Sequence, residues 1–391
     1  MSAHPAEAAR APGLDSLRAG AIVLVFMHHY MVFVSHSPSF GWASELGWVG
    51  VDLFFVLSGY LITDQLLAGL VAGQRLSLAA FYIRRALRTW PVFWVVLAAY
   101  FLWPAALGGR TPPPLWRFLS FTQNLGLQPG TAFSHAWSLC VEEQFYAVLP
   151  LVLLAGQRLG AGRRAGWALL AGLIALGIAS RAWLWTQYGL EAGHQVAGYH
   201  PHIYYATLCR FDEFLPGVAV AMIKHLHPLW WQWAMRQGPR LLVVALAACG
   251  LWAAALLRWY YVDGYGYTLP MTALGYSVNA GVFALLLLAA LSPGSPLARW
   301  RIPGAAALAK GSYAIYLSHK AIAFALQQLL GSARWHPAAQ LLLVTAACLA
   351  GGWLLYRTVE QPFMRWRSRL APGNFPAARA PGGATRPHVQ G

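Results

Sequence analysis

The chain has 391 residues, of which 58% are hydrophobic and only 10% charged. A soluble protein carries about 25% charged residues, so a large soluble domain is excluded and a polytopic membrane protein is indicated. The net charge of +16 would suit a nucleic-acid binder, but the placement of the charges decides against that.

In chain order, the polar start MSAHPAEAARAPGLDS leads into the first apolar run, and no small-residue cleavage site follows it. That run reads as a retained anchor. Apolar runs long enough to span a bilayer, about 20 residues each, lie near 15–34, 47–69, 86–107, 136–155, 166–187, 204–223, 240–258, 268–291, 305–330 and 338–357. Lipid satisfies no open backbone groups and no barrel-like alternation is present, so the spans must be helical. The expected fold is all-α, a polytopic membrane bundle of about ten transmembrane helices. A short cytoplasmic segment 1–13 precedes the transmembrane domain 14–370, and the Pro/Gly/Ala-rich tail 371–391 is expected to be disordered.

Of the 28 Lys and Arg residues, 21 fall on one side and 4 (Arg110, Arg117, Arg258, Arg334) on the other. The positive-inside rule puts the richer side, with both termini, in the cytoplasm. The basic balance therefore reflects topology and a cytoplasmic anionic partner, not nucleic acid. The stretch KHLHPLWWQWAMRQGPR (224–240) mixes cations with Trp and reads as interfacial. Richness in Ala, Gly, Arg and Pro points to a bacterium with a GC-rich genome.

An ionised group at mid-bilayer costs roughly 2.5–3.5 kcal/mol. Asp15, Asp52, Asp64, Glu142, Glu143, Asp212, Glu213 and Glu360 nevertheless lie in or at the edges of spans. Taken singly, each can pair with Arg181, Arg210 or Lys320; as a set they indicate a polar cavity through the bundle. In the first span, RAGAIVLVFMHHYMVFV, Arg18 and His29 come within about 20° of each other on one face, about 16 Å apart along the axis. Asp15 falls near that stripe and His28 turns about 80° away from it. Asp52, in GWVGVDLFFVLSGYLIT, and Glu142, in HAWSLCVEEQFY, come out at a depth similar to that of His29. A histidine with carboxylates at hand is a general base held in one tautomer. Ser138 lies one turn before Glu142.

On the cytoplasmic side, FYIRRALRTWP supplies Arg84, Arg85 and Arg88, with Arg84 and Arg88 on one face. With Arg18 they suit phosphates, or they are ordinary flanking charge. In CRFDEFLPG, Arg210 and Asp212 form an internal ion pair or part of a pocket. In GSYAIYLSHKAI, Tyr316 and His319 are three apart, and His319 is either packing or functional. Glu360 is expected to pair with Arg357. The four cysteines are scattered, and the pairs His200/His202 and His225/His227 lack a third ligand, so no metal site is expected. The absence of H-x-x-x-x-D, G-x-S-x-G and P-loop patterns weakens serine-hydrolase and ATPase readings.

In order, LDSLRAGAIVLVFMHHY, GWVGVDLFFVLSGYLIT, FYIRRALRTWP, HAWSLCVEEQFYAVLP, CRFDEFLPG, GSYAIYLSHKAI and YRTVEQPF resemble the acyltransferase-3 family of membrane O-acyltransferases, over residues 14–365. The family's signature of an Arg, ten residues and a His falls on Arg18 and His29. Its Trp-Ser-Leu-x-Val-Glu element falls on Trp137 to Glu142. The resemblance implies transfer of an acyl group, most often acetyl, from cytoplasmic acyl-CoA to a hydroxyl of an extracytoplasmic carbohydrate such as a polysaccharide, O-antigen or exopolysaccharide. It implies a bacterial inner-membrane, multi-pass location, with acyl-CoA as co-substrate and no resident cofactor. Small-molecule and macrolide acceptors also occur in the family. The chain departs from the pattern in lacking a hydrolase-like extension, and in placing Lys320 after His319 and Gln361 after Glu360.

On this reading His29 is the base, and Asp52 or Glu142 orients it or the acceptor. Arg18, Arg84, Arg85 and Arg88 bind the donor, while Trp137, Ser138, Arg210 and His319 line the pocket. The rival reading is a proton-coupled transporter or flippase of a lipid-linked glycan, with the same acids and histidines as a proton path.

Overall fold

The computed structural model describes residues 12–108, 111–189, 196–330 and 335–375. Residues 1–11 and 376–391, which hold most of the polar start and the tail, lie outside the described residues. The long helices are α1 (Pro12–Tyr30), α2 (Val49–Val71), α3 (Leu78–Leu102), α4 (Trp137–Arg158) and α5 (Arg163–Leu184). They continue with α6 (Leu215–Leu226), α7 (Gly238–Trp259), α8 (Leu269–Leu291), α9 (Ala305–Leu330), α10 (Pro337–Leu355) and α11 (Gln361–Leu370). Among the described residues, seven stretches are long and apolar enough to cross a membrane, those of α1, α2, α4, α5, α7, α8 and α10. The helices α3 and α9 are as long, but carry Arg84, Arg85 and Arg88, and Lys310 and Lys320. The extended structure among the described residues is a small hairpin, Tyr261–Val262 with Gly266–Tyr267. The expected all-α membrane fold is what the chain adopts.

Glycines set the interior. A Cβ on Gly50 would overlap the carbonyl oxygen of Ala21 in α1, and one on Gly59 that of Phe214, just before α6. From the other side, a Cβ on Gly217 would overlap the Val56 carbonyl. α2 therefore packs backbone to backbone on two faces, the arrangement small residues permit in lipid, where apolar burial alone drives no helix pairing. Its outward-facing counterpart is α7, which exposes Val243, Val244, Leu246 and Leu251.

The sixth expected span, 204–223, is not one helix. A π turn (His200–Tyr204), a short helix (Thr207–Arg210) and a 3-10 turn (Phe211–Phe214) precede α6. Such a break frees carbonyls that lipid cannot satisfy, so it must be buried in protein. Buried side chains supply the missing donors. Arg210 Nη1 donates to Tyr204 O at 3.0 Å, Asn124 Nδ2 to Tyr205 O at 2.9 Å, and Arg181 Nη1 to Cys209 O at 2.6 Å. Two ion clusters keep these groups in place. Arg181 makes a two-pronged bond to Asp212, at 2.6 and 2.9 Å, and Ser277 donates to the same carboxylate at 2.5 Å. Arg210 pairs with Asp52 of α2 and with Glu213, and Asn279 of α8 donates to Asp52 at 2.5 Å. The internal-pair reading of Arg210 holds, with Asp52 and Glu213 rather than Asp212 as its partners.

The start of the expected disordered tail is ordered. Arg84 Nη1 donates to Ala371 O at 2.5 Å, Ser77 N to Asn374 O at 3.0 Å, and the Phe375 ring packs against Gly69. A strap of residues 371–375 thus crosses from α11 to the ends of α2 and α3.

Gly217→Leu should abolish the folded, monodisperse species in detergent chromatography, because the Val56 carbonyl cannot yield. Arg210→Met should cost about 3–5 kcal/mol, by leaving two buried carboxylates without their cation. Thermal unfolding in micelles should show the loss, with partial recovery when Asp52→Asn is added.

Candidate active site

A cavity of about 380 Å³ opens at the arginine-rich end of the bundle. Its mouth is set by Arg18 of α1, by Arg84, Arg85 and Arg88 of α3, by Lys310 of α9 and by Arg367 of α11. The start of α3 is fixed by Ser77, whose Oγ accepts from Ala80 N at 3.2 Å. From there Arg84 and Arg88 follow on one face. Arg85 lies over the Tyr146 ring, 5.0 Å from its centroid, and Arg88 Nη1 reaches Met364 Sδ at 3.8 Å. Among the described residues no salt bridge engages Arg84, Arg85 or Arg88. Arg84, Arg85 and Arg88 thus reach the cavity mouth without a salt bridge among the described residues.

Glu142 lies deeper in the same cavity and accepts hydrogen bonds from Ser58 and Tyr146. Glu360 also lines it, buried, with Oε2 unpaired, while Arg357 lies over the Trp353 ring instead of beside Glu360. The expected Glu360–Arg357 pair is not formed. At the inner end Tyr316 Oη donates to the carbonyl of His135 at 2.5 Å. With that proton committed, the 2.8 Å contact between Ser138 and Tyr316 has Ser138 as donor.

One turn beyond Tyr316 along α9, three imidazoles meet. His29 Nδ1 lies 2.6 Å from His319 Nε2, and the His135 ring is 6.2 Å from His29 and 5.4 Å from His319. His135 and His319 are buried, whereas His29 is only partly so. His28 faces away, its Nδ1 2.9 Å from the Ser44 carbonyl. Lys320 is buried beside this cluster, with Nζ 3.2 Å from Ser134 Oγ and 4.6 Å from the Phe33 ring centroid, and no carboxylate among the described residues pairs with it.

The structure therefore brings together the four arginines expected to bind a donor, with Ser138 and Glu142 in the same cavity. It pairs His29 with His319, and it separates both acids from His29. Asp52 is fully buried on Arg210 and Asn279, and Glu142 is held by Ser58 and Tyr146. Similar depth along three helices does not fix direction around their axes, and the face of α2 at position 52 turns toward α8. Trp137 and Arg210 pack on each other outside the cavity, 4.8 Å from guanidinium to ring. The residues that sequence reasoning missed are Ser58, Tyr146, His135 and Arg367. Tyr146 was findable as the residue one turn after Glu142, and His135 as the imidazole just ahead of Trp137 and Ser138. Ser58 and Arg367 gave no local signal. Among the described residues no cluster suits a metal ion.

Over residues 12–357 the chain matches the acyltransferase-3 family model, described as an acyltransferase domain. The chain belongs to this family. It is similar to the peptidoglycan O-acetyltransferase OatA of Listeria monocytogenes, 33% identical over 230 residues, covering 54% of this chain and 34% of that protein. It is similar also to YrhL of Bacillus subtilis, named as a candidate peptidoglycan O-acetyltransferase, 28% identical over 377 residues, covering 90% of this chain and 54% of that protein. The O-acetyltransferase OatA of Staphylococcus aureus is 26% identical over 341 residues, covering 79% and 50%. The chain thus spans about a third to a half of the length of these relatives. No solved structure matches it. Family membership and the apolar helices make this a multi-pass membrane acyltransferase domain.

Proposed function

We propose that this domain moves an acetyl group from cytoplasmic acetyl-CoA to a hydroxyl of an extracytoplasmic cell-wall carbohydrate. The observation that carries the reading is the cavity that joins an arginine-rich mouth to an inner end of hydroxyls, with a histidine cluster just beyond. A long donor with phosphates at one end and a thioester at the other fits that polarity. The names of the Listeria and Staphylococcus relatives favour acetyl as the group and a cell-wall glycan as the acceptor.

Arg18, Arg84, Arg85 and Arg88 hold the CoA phosphates through charge-assisted hydrogen bonds. Arg84 spends one N–H on the strap carbonyl and keeps the others. The pantetheine arm runs inward past Glu142, and the thioester comes to rest near Ser138 and Tyr316. His29 takes the proton of the acceptor hydroxyl, the oxygen attacks the thioester carbonyl, and the C–S bond breaks as the ester C–O bond forms. The thiolate leaves with the proton from His29, so the base is restored.

The test is purified protein in nanodiscs with labelled acetyl-CoA and muramyl glycan fragments, read by mass spectrometry for acetyl esters. Glycan movement without acetyl-CoA consumption would overturn the proposal in favour of transport. His29→Ala should lower kcat by about 10²–10⁴-fold, and His28→Ala by no more than about threefold. Equal losses would remove the distinction between the two histidines. Arg84→Ala and Arg88→Ala should each raise KM for acetyl-CoA about tenfold, the effect of one lost charge-assisted hydrogen bond, with kcat nearly unchanged.

A further inference from the structure

The contact between His29 and His319 specifies where the protons sit. His319 Nδ1 is 2.7 Å from the Tyr316 carbonyl and 3.2 Å from that of Ile315. Carbonyls only accept, so His319 Nδ1 carries a hydrogen, and in the neutral ring Nε2 is then the bare acceptor. His29 Nδ1 faces that Nε2 at 2.6 Å, so it is His29 that donates. The ring planes differ by 8° and the centroids are 4.9 Å apart. That is the geometry of two imidazoles joined edge to edge in one plane, since face-to-face stacking would bring the centroids closer. The remaining nitrogen of His29, Nε2, makes no hydrogen bond among the described residues.

From this we infer that His319 is a positioning residue, which locks His29 in the Nδ1–H tautomer and so presents the Nε2 lone pair to the acceptor hydroxyl. The inference rests on the reading of His29 as the base. The chain of donors runs from His29 Nδ1–H to His319 Nε2, and from His319 Nδ1–H to the backbone of α9. The backbone anchor explains why the relay has a direction. A helical carbonyl cannot give a proton back, so His319 cannot flip its tautomer without leaving Nδ1 facing two oxygens. When His29 takes a proton on Nε2, its Nδ1–H bond to His319 helps hold the cation. This replaces the carboxylate orienter expected from the sequence. His135 does not fill that role, because its Nε2 is engaged by the Leu317 carbonyl at 3.1 Å and its Nδ1 is buried without a partner.

Two measurements on the full chain in bilayers test this. First, ¹⁵N spectra of histidine-labelled protein, assigned by single substitutions, should show His29 protonated on Nδ1 and bare on Nε2. In His319→Leu that preference should be lost. Second, His319→Leu should lower kcat about 10–100-fold with KM for acetyl-CoA unchanged. His319→Gln, whose side-chain oxygen can accept from His29, should recover most of the loss. A proton on His29 Nε2 in the wild-type spectrum overturns the inference, as does a folded His319→Gln no better than His319→Leu. If His319→Leu fails to fold, the wild-type spectrum decides alone. An active His29→Ala together with the expected spectrum would overturn the base assignment and leave the tautomer standing. An inactive His29→Ala with the opposite spectrum would do the reverse.

Discussion

The guanidinium of Arg210 holds together parts of the chain that lipid would otherwise pull apart. It is fully buried, binds Asp52 of α2 and Glu213 of the 3-10 turn, and donates to the carbonyl of Tyr204. The rings of Trp137, Tyr204 and Tyr276 close around it at 4.2–4.8 Å. An isolated cation would not survive there; one with two carboxylates, an accepting carbonyl and three aromatic faces does. Because of this anchor the chain can stop being helical at Phe211–Phe214 and resume as α6. α6 then lies against α2 through Gly59 and Gly217. The position of α2 decides where Ser58 meets Glu142, and hence the wall of the cavity.

On that frame the chemistry divides between the two ends of α1 and α9. Arg18 and Lys310 belong to the cavity mouth, and His29 and His319 to the imidazole cluster. Between them the Tyr316–Ser138 hydrogen bond marks the boundary. On the proposed reading, donor and acceptor meet around this hydroxyl pair, with Glu142 one turn from Ser138 in the same cavity. Asp52 is held by Arg210 and Asn279, and Glu142 by Ser58 and Tyr146, so neither acid is hydrogen-bonded to His29.

Much of this was legible in the sequence. Hydrophobic run length located the helices, and the 100° step of a helix separated His29 from His28. The arginine cluster of α3 was visible as an i,i+4 pair with a neighbour. What was hidden depended on direction around an axis or on contact between distant segments. The 1.5 Å rise per residue gives depth but not which neighbour a side chain meets, so Asp52 was placed beside the wrong partner. The break before α6 was masked because CRFDEFLPG sits inside a run of apolar residues, and Arg210 satisfies a freed carbonyl while Asp212 and Glu213 accept from buried arginines. His135 carried no periodic signal, since it lies on a 3-10 turn (Ser134–Ala136) outside any long helix.

The strap formed by residues 371–375 is part of the cavity's own surroundings. Ala371 holds Arg84, and Asn374 contributes to the wall of the cavity. Residues 371–375 are thus tethered at the mouth of the cavity. Cutting the chain after residue 370 would remove part of that wall together with one partner of Arg84. Turnover measured on a chain so shortened would report on that loss as well as on the enzyme.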